Sequence, residues 1–143
     1  IFPNERNARF NEMEYELPQA DGPDCLREIL AAIQKSNIRT LFPLEYRTIA
    51  ADDAWLSPMY QRATTSISVH QHHATDYRGL FDLVEPIFWK YGGRPHWGKI
   101  HRLDAKRLAM LYPKWEDFRR VREALDPQGN LLNNHLRHIL VQK

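Results

Sequence analysis

The sequence predicts an α+β domain, an antiparallel sheet with helices packed on one of its faces. Three observations lead there. Stretches at 8–17, 39–50 and 64–72 carry the alternation or the β-branched and aromatic residues of strands. Helical periodicity appears between the first two and again after the third. The last forty residues break into short helical pieces. The chain has 143 residues and 17.0 kDa, enough for one domain with a real core and too little for two.

Residues 8–17 place Phe10, Met13, Tyr15 and Leu17 among Glu12, Glu14 and Glu16. The pattern reads as a strand with one wet face, and its slip at Asn11-Glu12 suggests a bulge. Pro18 ends it. Asp21 or Asp24 can cap a helix with Pro23 in its first turn, whose Leu26, Ile29, Leu30 and Ile33 form one apolar stripe. That helix should fade near Ser36-Asn37. Residues 39–50 and 64–72 read as two more strands, with Asp52-Asp53 and Ser57-Pro58 punctuating the gap.

A second helix carries Leu80, Leu83, Val84, Ile87, Phe88 and Tyr91 on one face after an Asp76 cap. Pro86 inside it predicts a kink or a later start, and Gly92-Gly93 ends it. Arg94 to His101 has no clear period. Helices follow over Asp104–Leu111, about Trp115–Leu125 and Leu131–Leu140, with Asp126-Pro127-Gln128-Gly129 as a turn.

Composition excludes several classes. With 43% hydrophobic residues, 6 Gly and 9 Pro, the chain is neither a disordered tail nor a linker. A mean hydropathy of −0.61 and the lack of a long apolar run argue against a transmembrane helix. Membrane association stays possible but is not indicated by this chain, and one cysteine with no leader makes a cytoplasmic location the expectation. The lone Cys25 cannot form an internal disulfide. Twenty Lys and Arg against 18 Asp and Glu give +2, too balanced for a nucleic-acid partner. The chain opens Ile1-Phe2-Pro3-Asn4 with no initiator Met, so the expectation is a processed chain or a piece of a longer one.

Three constellations can carry chemistry. Glu45 and Arg47 stand side by side on one strand face, where a carboxylate can hold a guanidinium for two parallel bonds to an oxygen-rich ligand. A cross-face salt bridge on a solvated sheet is the other reading. His70 and His72 share a face, a spacing that can ligate a metal. No further ligand motif supports one, and the expectation is no metal. An imidazole in a pocket, polar or acting in acid–base chemistry, stands beside the plain reading of a histidine satisfied by a carbonyl. Arg94-Pro95-His96-Trp97-Gly98-Lys99 is a donor-rich segment suited to an anionic or oxygen-rich ligand, or else a packed corner anchored by Trp97.

Read together, these segments resemble the C-terminal part of the flavin-dependent sugar-lactone and alditol oxidases, which include D-arabinono-1,4-lactone, L-gulonolactone and alditol oxidases. The resemblance runs through Met13-Glu14-Tyr15-Glu16-Leu17-Pro18, Glu45-Tyr46-Arg47 and Ala51 to Pro58. It continues in Gly93 to Lys99, Leu111-Tyr112-Pro113, Val121-Arg122, Leu125 to Gly129, Leu132-Asn133 and Leu136. The resemblance implies that residues 1–143 are the substrate-binding cap domain of a vanillyl-alcohol-oxidase-like flavoenzyme. An N-terminal FAD-binding domain, absent from this chain, would lie in the same or a companion chain.

The implied activity is oxidation of a CH–OH group in an aldonolactone or alditol, with hydride passing to FAD and then to oxygen or another acceptor. The chain by itself would be inactive. Carried onto this sequence, Arg47 contacts the substrate oxygen while Glu45 orients it and binds hydroxyls. His70 stands near the reacting carbon, and Lys99 lies at the flavin edge and the substrate. His96 and Trp97 fall on the cofactor side. His72 stands where alditol oxidases have a small hydroxyl-bearing residue, which bears on substrate choice. The rival reading is a stand-alone polyol- or carbohydrate-binding or interaction module without redox activity.

Overall fold

A computed structural model describes residues 8–141. Four strands form an antiparallel sheet in the order β2-β3-β1-β4: β1 is Phe10–Pro18, β2 Glu45–Ile49, β3 Thr64–His72 and β4 Arg94–Pro95. The helices are α1 (Gly22–Lys35), α2 (Arg78–Lys90), α3 (Ala105–Leu111), α4 (Trp115–Leu125) and α5 (Asn134–Leu140). This is the α+β architecture the sequence predicts.

The sheet separates two kinds of surface. On one face Met13, Tyr15 and Leu17 of β1 and Ile67 and Val69 of β3 are buried with Cys25 and Ile29 of α1 and Leu80, Phe81, Val84 and Phe88 of α2. The Tyr15 ring stacks on Phe88 at 4.8 Å, and its hydroxyl donates to Glu85 Oε1 at 2.7 Å. The Glu85 carboxylate also accepts the Arg102 backbone N–H and Nε, so this fully buried charge is partnered on all sides. The opposite face presents Glu12, Glu14 and Glu16 of β1, Ser66, Ser68 and His70 of β3, and Glu45 and Arg47 of β2.

Several expectations are corrected. The β1–β3 ladder runs without interruption from Phe10↔His72 to Pro18↔Thr64, so no bulge forms at Asn11-Glu12. The glutamate face is not wet either, since Glu14 and Glu16 are buried. Strand β1 is central, flanked by β3 and β4, and its carboxylates sit among neighbouring side chains. The strand expected over 39–50 starts only at Glu45. Pro43 supplies no N–H and restrains Phe42, and pairing begins beyond it.

The aperiodic stretch after Gly93 holds β4, whose proline is tolerated on an edge strand. Beyond it His96 N–H donates to the Glu14 carbonyl at 3.0 Å and Ile100 N–H to that of Glu12 at 3.0 Å, so the segment keeps following β1. Helix α2 is continuous through Pro86 and begins at Arg78, where the Asp76 carboxylate accepts the backbone N–H. It closes with Gly92 at φ +63, Gly93 N–H to Phe88 O and Gly92 N–H to Trp89 O, a Schellman end that turns the chain into β4. In α1, Leu30 faces out while Cys25 and Ile29 face the sheet.

Helices α3 and α4 fall where expected, α3 capped by Asp104. Helix α5 begins at Asn134, later than expected, because the Asn133 side chain caps it. In α4 Trp115 is buried, but Val121 and Leu125 are exposed. Leu103, Leu108, Tyr112, Trp115 and Ile139 extend the core past β4. Arg94 ties this region together: its guanidinium donates to the carbonyls of Leu111, Pro58 and Tyr60 at 2.9–3.1 Å.

Helix α1 meets the sheet at Gly22, where an added Cβ would stand 2.5 Å from the buried Thr65 Oγ1. Gly22→Ala should cost about 1–3 kcal/mol by overpacking. A urea titration checks this, and an unmoved midpoint would show that the α1–β3 contact yields freely.

Candidate functional site

The predicted residues gather on the polar face of the sheet. Antiparallel register places Glu45 beside Ser68 and Arg47 beside Ser66, with Glu14 and Glu16 of β1 next in line. Arg47 is half exposed, with one guanidinium nitrogen 2.5 Å from Glu45 Oε2 and 3.7 Å from Glu14 Oε1. Glu14 Oε1 also accepts the Ser66 hydroxyl at 2.7 Å. The guanidinium is thus held from two sides while it faces outward, the arrangement a bidentate contact to an oxygen-rich ligand requires.

One strand position further, Glu12 stands opposite His70. Its Oε1 lies 3.4 Å from His70 Nε2, and its Oε2 accepts the Lys99 ammonium. His70 Nδ1 faces the Pro43 carbonyl at 3.3 Å, and Phe10 meets the ring edge-on at 4.9 Å. Burial pushes the Glu12 carboxyl up, but the Lys99 bond and the charges of Lys99 and His70 outweigh it. The group is held below the usual carboxylate range. Sequence reasoning named His70 and Lys99 but not Glu12. The i, i+2, i+4 glutamates were a visible signal, but the bond joins positions 87 residues apart.

Glu16 behaves differently. It is 2% exposed, and its Oε2 is buried without a hydrogen-bond partner. Burial, and then the Glu14 charge, push its carboxyl up to about 8 against the pull of Arg47 and Arg62. The group is thus largely neutral at pH 7.

His72 lies on the His70 face with its ring parallel to Phe42 at 6.4 Å. Among the described residues no group of three or more His, Cys, Asp or Glu side chains is placed to hold a metal. His96 Nδ1 accepts the Gly98 N–H, which leaves Nε2 as its donor. Trp97 sits in a packed corner: its indole N–H donates to the Leu56 carbonyl at 2.8 Å and its ring stacks on Tyr112 at 5.2 Å. The same turn, closed by Lys99 N–H to His96 O, sets Lys99 beside Glu12. The face therefore joins Glu45, Arg47, His70 and Lys99 through Glu12 and Glu14, and Trp97 stands apart as an anchor.

The model of the D-arabinono-1,4-lactone oxidase family matches residues 1–139. The chain belongs to that family. It is similar to L-gulono-1,4-lactone dehydrogenase of Mycobacterium tuberculosis (strain ATCC 25618 / H37Rv), at 39% identity over 98% of this chain and 33% of that protein. L-gulonolactone oxidase of Mus musculus is 31% identical over 97% of the chain and 33% of its own length. Alditol oxidase of Streptomyces sp. is 33% identical over 90% and 31%. The chain thus spans about a third of the length of the curated relatives it matches. Among its described residues, this chain of the D-arabinono-1,4-lactone oxidase family has no helix long and apolar enough to cross a membrane.

The neutral Glu16 predicts a pH-dependent stability. Between the unfolded value near 4.3 and about 8 the folded state binds the extra proton, so stability declines as pH rises through that window. Glu16→Gln should flatten the decline. Urea denaturation at pH 5 and pH 8 measures it, and an equal pH slope in both proteins would refute the buried neutral carboxyl.

Proposed function

We propose that this chain is the substrate-binding cap of an FAD-dependent oxidoreductase that oxidises a CH–OH group of an aldonolactone or alditol. One observation carries the reading. The outward-held Arg47 and the Lys99–Glu12–His70 cluster share one sheet face, in a family whose relatives are named for lactones and alditols.

The chain's own donors fit a flavin. The Lys99 ammonium and the His96 Nε2–H suit a group that becomes negatively charged on reduction, and Trp97 fixes the turn that carries both. When bound, FAD supplies the hydride acceptor and so the redox chemistry. Its binding domain would lie in the same or a companion chain, as in a vanillyl-alcohol-oxidase-like architecture.

The residues of this chain orient the substrate and manage charge. Arg47 donates to the substrate oxygen, and Glu45 fixes the guanidinium and accepts from hydroxyls. The His70 ring, set between the Pro43 carbonyl at Nδ1 and the Glu12 carboxylate at Nε2, accepts at Nε2 the proton of the reacting hydroxyl when Nδ1 carries the hydrogen. Lys99 stabilises the negative charge that develops across the site. His72, two residues along the same face, bears on which substituents fit beside the reacting carbon.

In the full-length enzyme, Arg47→Ala or Lys99→Ala should lower turnover by roughly 10²-fold or more while FAD stays bound. Steady-state kinetics with flavin absorbance decides the point. Near-normal turnover in both variants would remove these residues from the reaction, whereas polyol or lactone binding by the isolated chain without any turnover would favour a binding module without redox activity.

A further inference from the structure

Three elements converge on Glu12. It lies on the central strand, its side chain faces His70 of β3, and Lys99 arrives from the turn beyond β4. Its backbone takes part as well, because the Ile100 N–H donates to the Glu12 carbonyl at 3.0 Å and fixes the chain next to Lys99. The side chain is 12% exposed, and Lys99 is 28% exposed. The pair is sheltered, and a charge–charge contact there is screened far less than one in water.

His70 shows why a carboxylate belongs at this position. Both ring nitrogens face oxygen acceptors, the Pro43 carbonyl at 3.3 Å and Glu12 Oε1 at 3.4 Å. A neutral ring can donate to only one of them, and a ring protonated on both nitrogens can donate to both. The ring is 6% exposed, with Phe10 and Phe42 around it, so water does little to support a positive charge on it. The charged groups facing this cluster are Glu12 and Glu14 from β1 and Lys99 from the turn.

We propose that Glu12 is the positioning residue of the oxidation: it holds His70 and Lys99 in one arrangement and balances the imidazolium that forms when Nε2 takes the substrate's hydroxyl proton. The proposal rests on the proposed oxidoreductase function. In the step, the O–H bond breaks and its proton forms the Nε2–H bond, while the hydride from carbon leaves to the flavin acceptor and the carbinol becomes a carbonyl. The effect of Glu12 passes through the two side chains it contacts, the Lys99 ammonium and the His70 ring, on whose proton-accepting Nε2 side it stands.

The test uses the full-length, FAD-loaded enzyme. Glu12→Gln keeps the shape and removes the charge, and it should lower kcat by roughly 10- to 100-fold with a much smaller change in KM. Glu12→Asp should restore part of the loss. A second readout needs no turnover: the ¹³C-labelled Glu12 carboxyl should titrate below the ordinary glutamate range and move upward in Lys99→Met. This readout also decides the matter if Glu12→Gln does not fold. Unchanged kcat in Glu12→Gln alongside inactive Arg47→Ala and Lys99→Ala overturns this role and leaves the oxidoreductase reading standing. A Glu12 titration indifferent to Lys99→Met also overturns it. Full activity in all of these variants would overturn this role together with the Arg47 and Lys99 assignments, and a wild-type enzyme that oxidises no lactone or alditol would overturn the oxidoreductase reading itself.

Discussion

The register between β1 and β3 is the constraint on which the rest of the molecule depends. Nine consecutive antiparallel pairs put Met13, Tyr15 and Leu17 on the helix side, and Glu12, Glu14 and Glu16 on the other. A slip of one residue would drive three carboxyl groups into the apolar core and turn the tyrosine and leucine outward. Burying those carboxyl groups among apolar side chains without hydrogen-bond partners is costly, whether they are charged or neutral. The register is therefore strongly specified, and with it the pairing of Glu12 with His70 and of Glu14 with Ser68.

Along that one strand face three glutamates meet three environments. Glu12 is ionised between two nitrogen groups, and Glu14 is bonded to Ser66 with Arg47 nearby. Glu16 is enclosed without a partner for Oε2 and holds its proton at neutral pH. Glu12 and Glu16, identical side chains on one strand face, take different charge states because their neighbours differ. Glu85, buried on the other face, is bonded instead by Tyr15 and Arg102.

Much of this was legible in the chain. Strand β3 falls where its β-branched residues place it and helix α4 where its periodicity does, and α1 ends at the predicted serine. The Glu45–Arg47 contact follows from strand geometry alone, since it needs only i, i+2 spacing. Strand β4 escaped because two residues carry no period, and its pairing is a property of β1 as much as of itself. The loop before β2 was misread because Leu41 and Phe42 look strand-like, while Pro43 blocks the ladder. The glutamate face was read as wet because alternation reveals two faces without saying what covers either one. Convergence on Glu12 was invisible for a related reason: it joins residues far apart in sequence, and only the three-dimensional crossing of β1 by two other segments creates it.

Arg94 has a consequence for how the molecule opens. One buried guanidinium bonds carbonyls at 58, 60 and 111, and Arg62 next to the sheet bonds those of Gly92 and Glu16. A loop, a strand edge and the end of α3 thus cannot separate one at a time without leaving charged donors unpaired in the interior. Bonds shared in this way couple the three segments, which argues for one opening event common to their amides rather than three. The turn carrying His96 and Lys99 is attached to this unit through the Trp97–Leu56 bond, so its order is inherited from the body of the domain and not from the short turn itself.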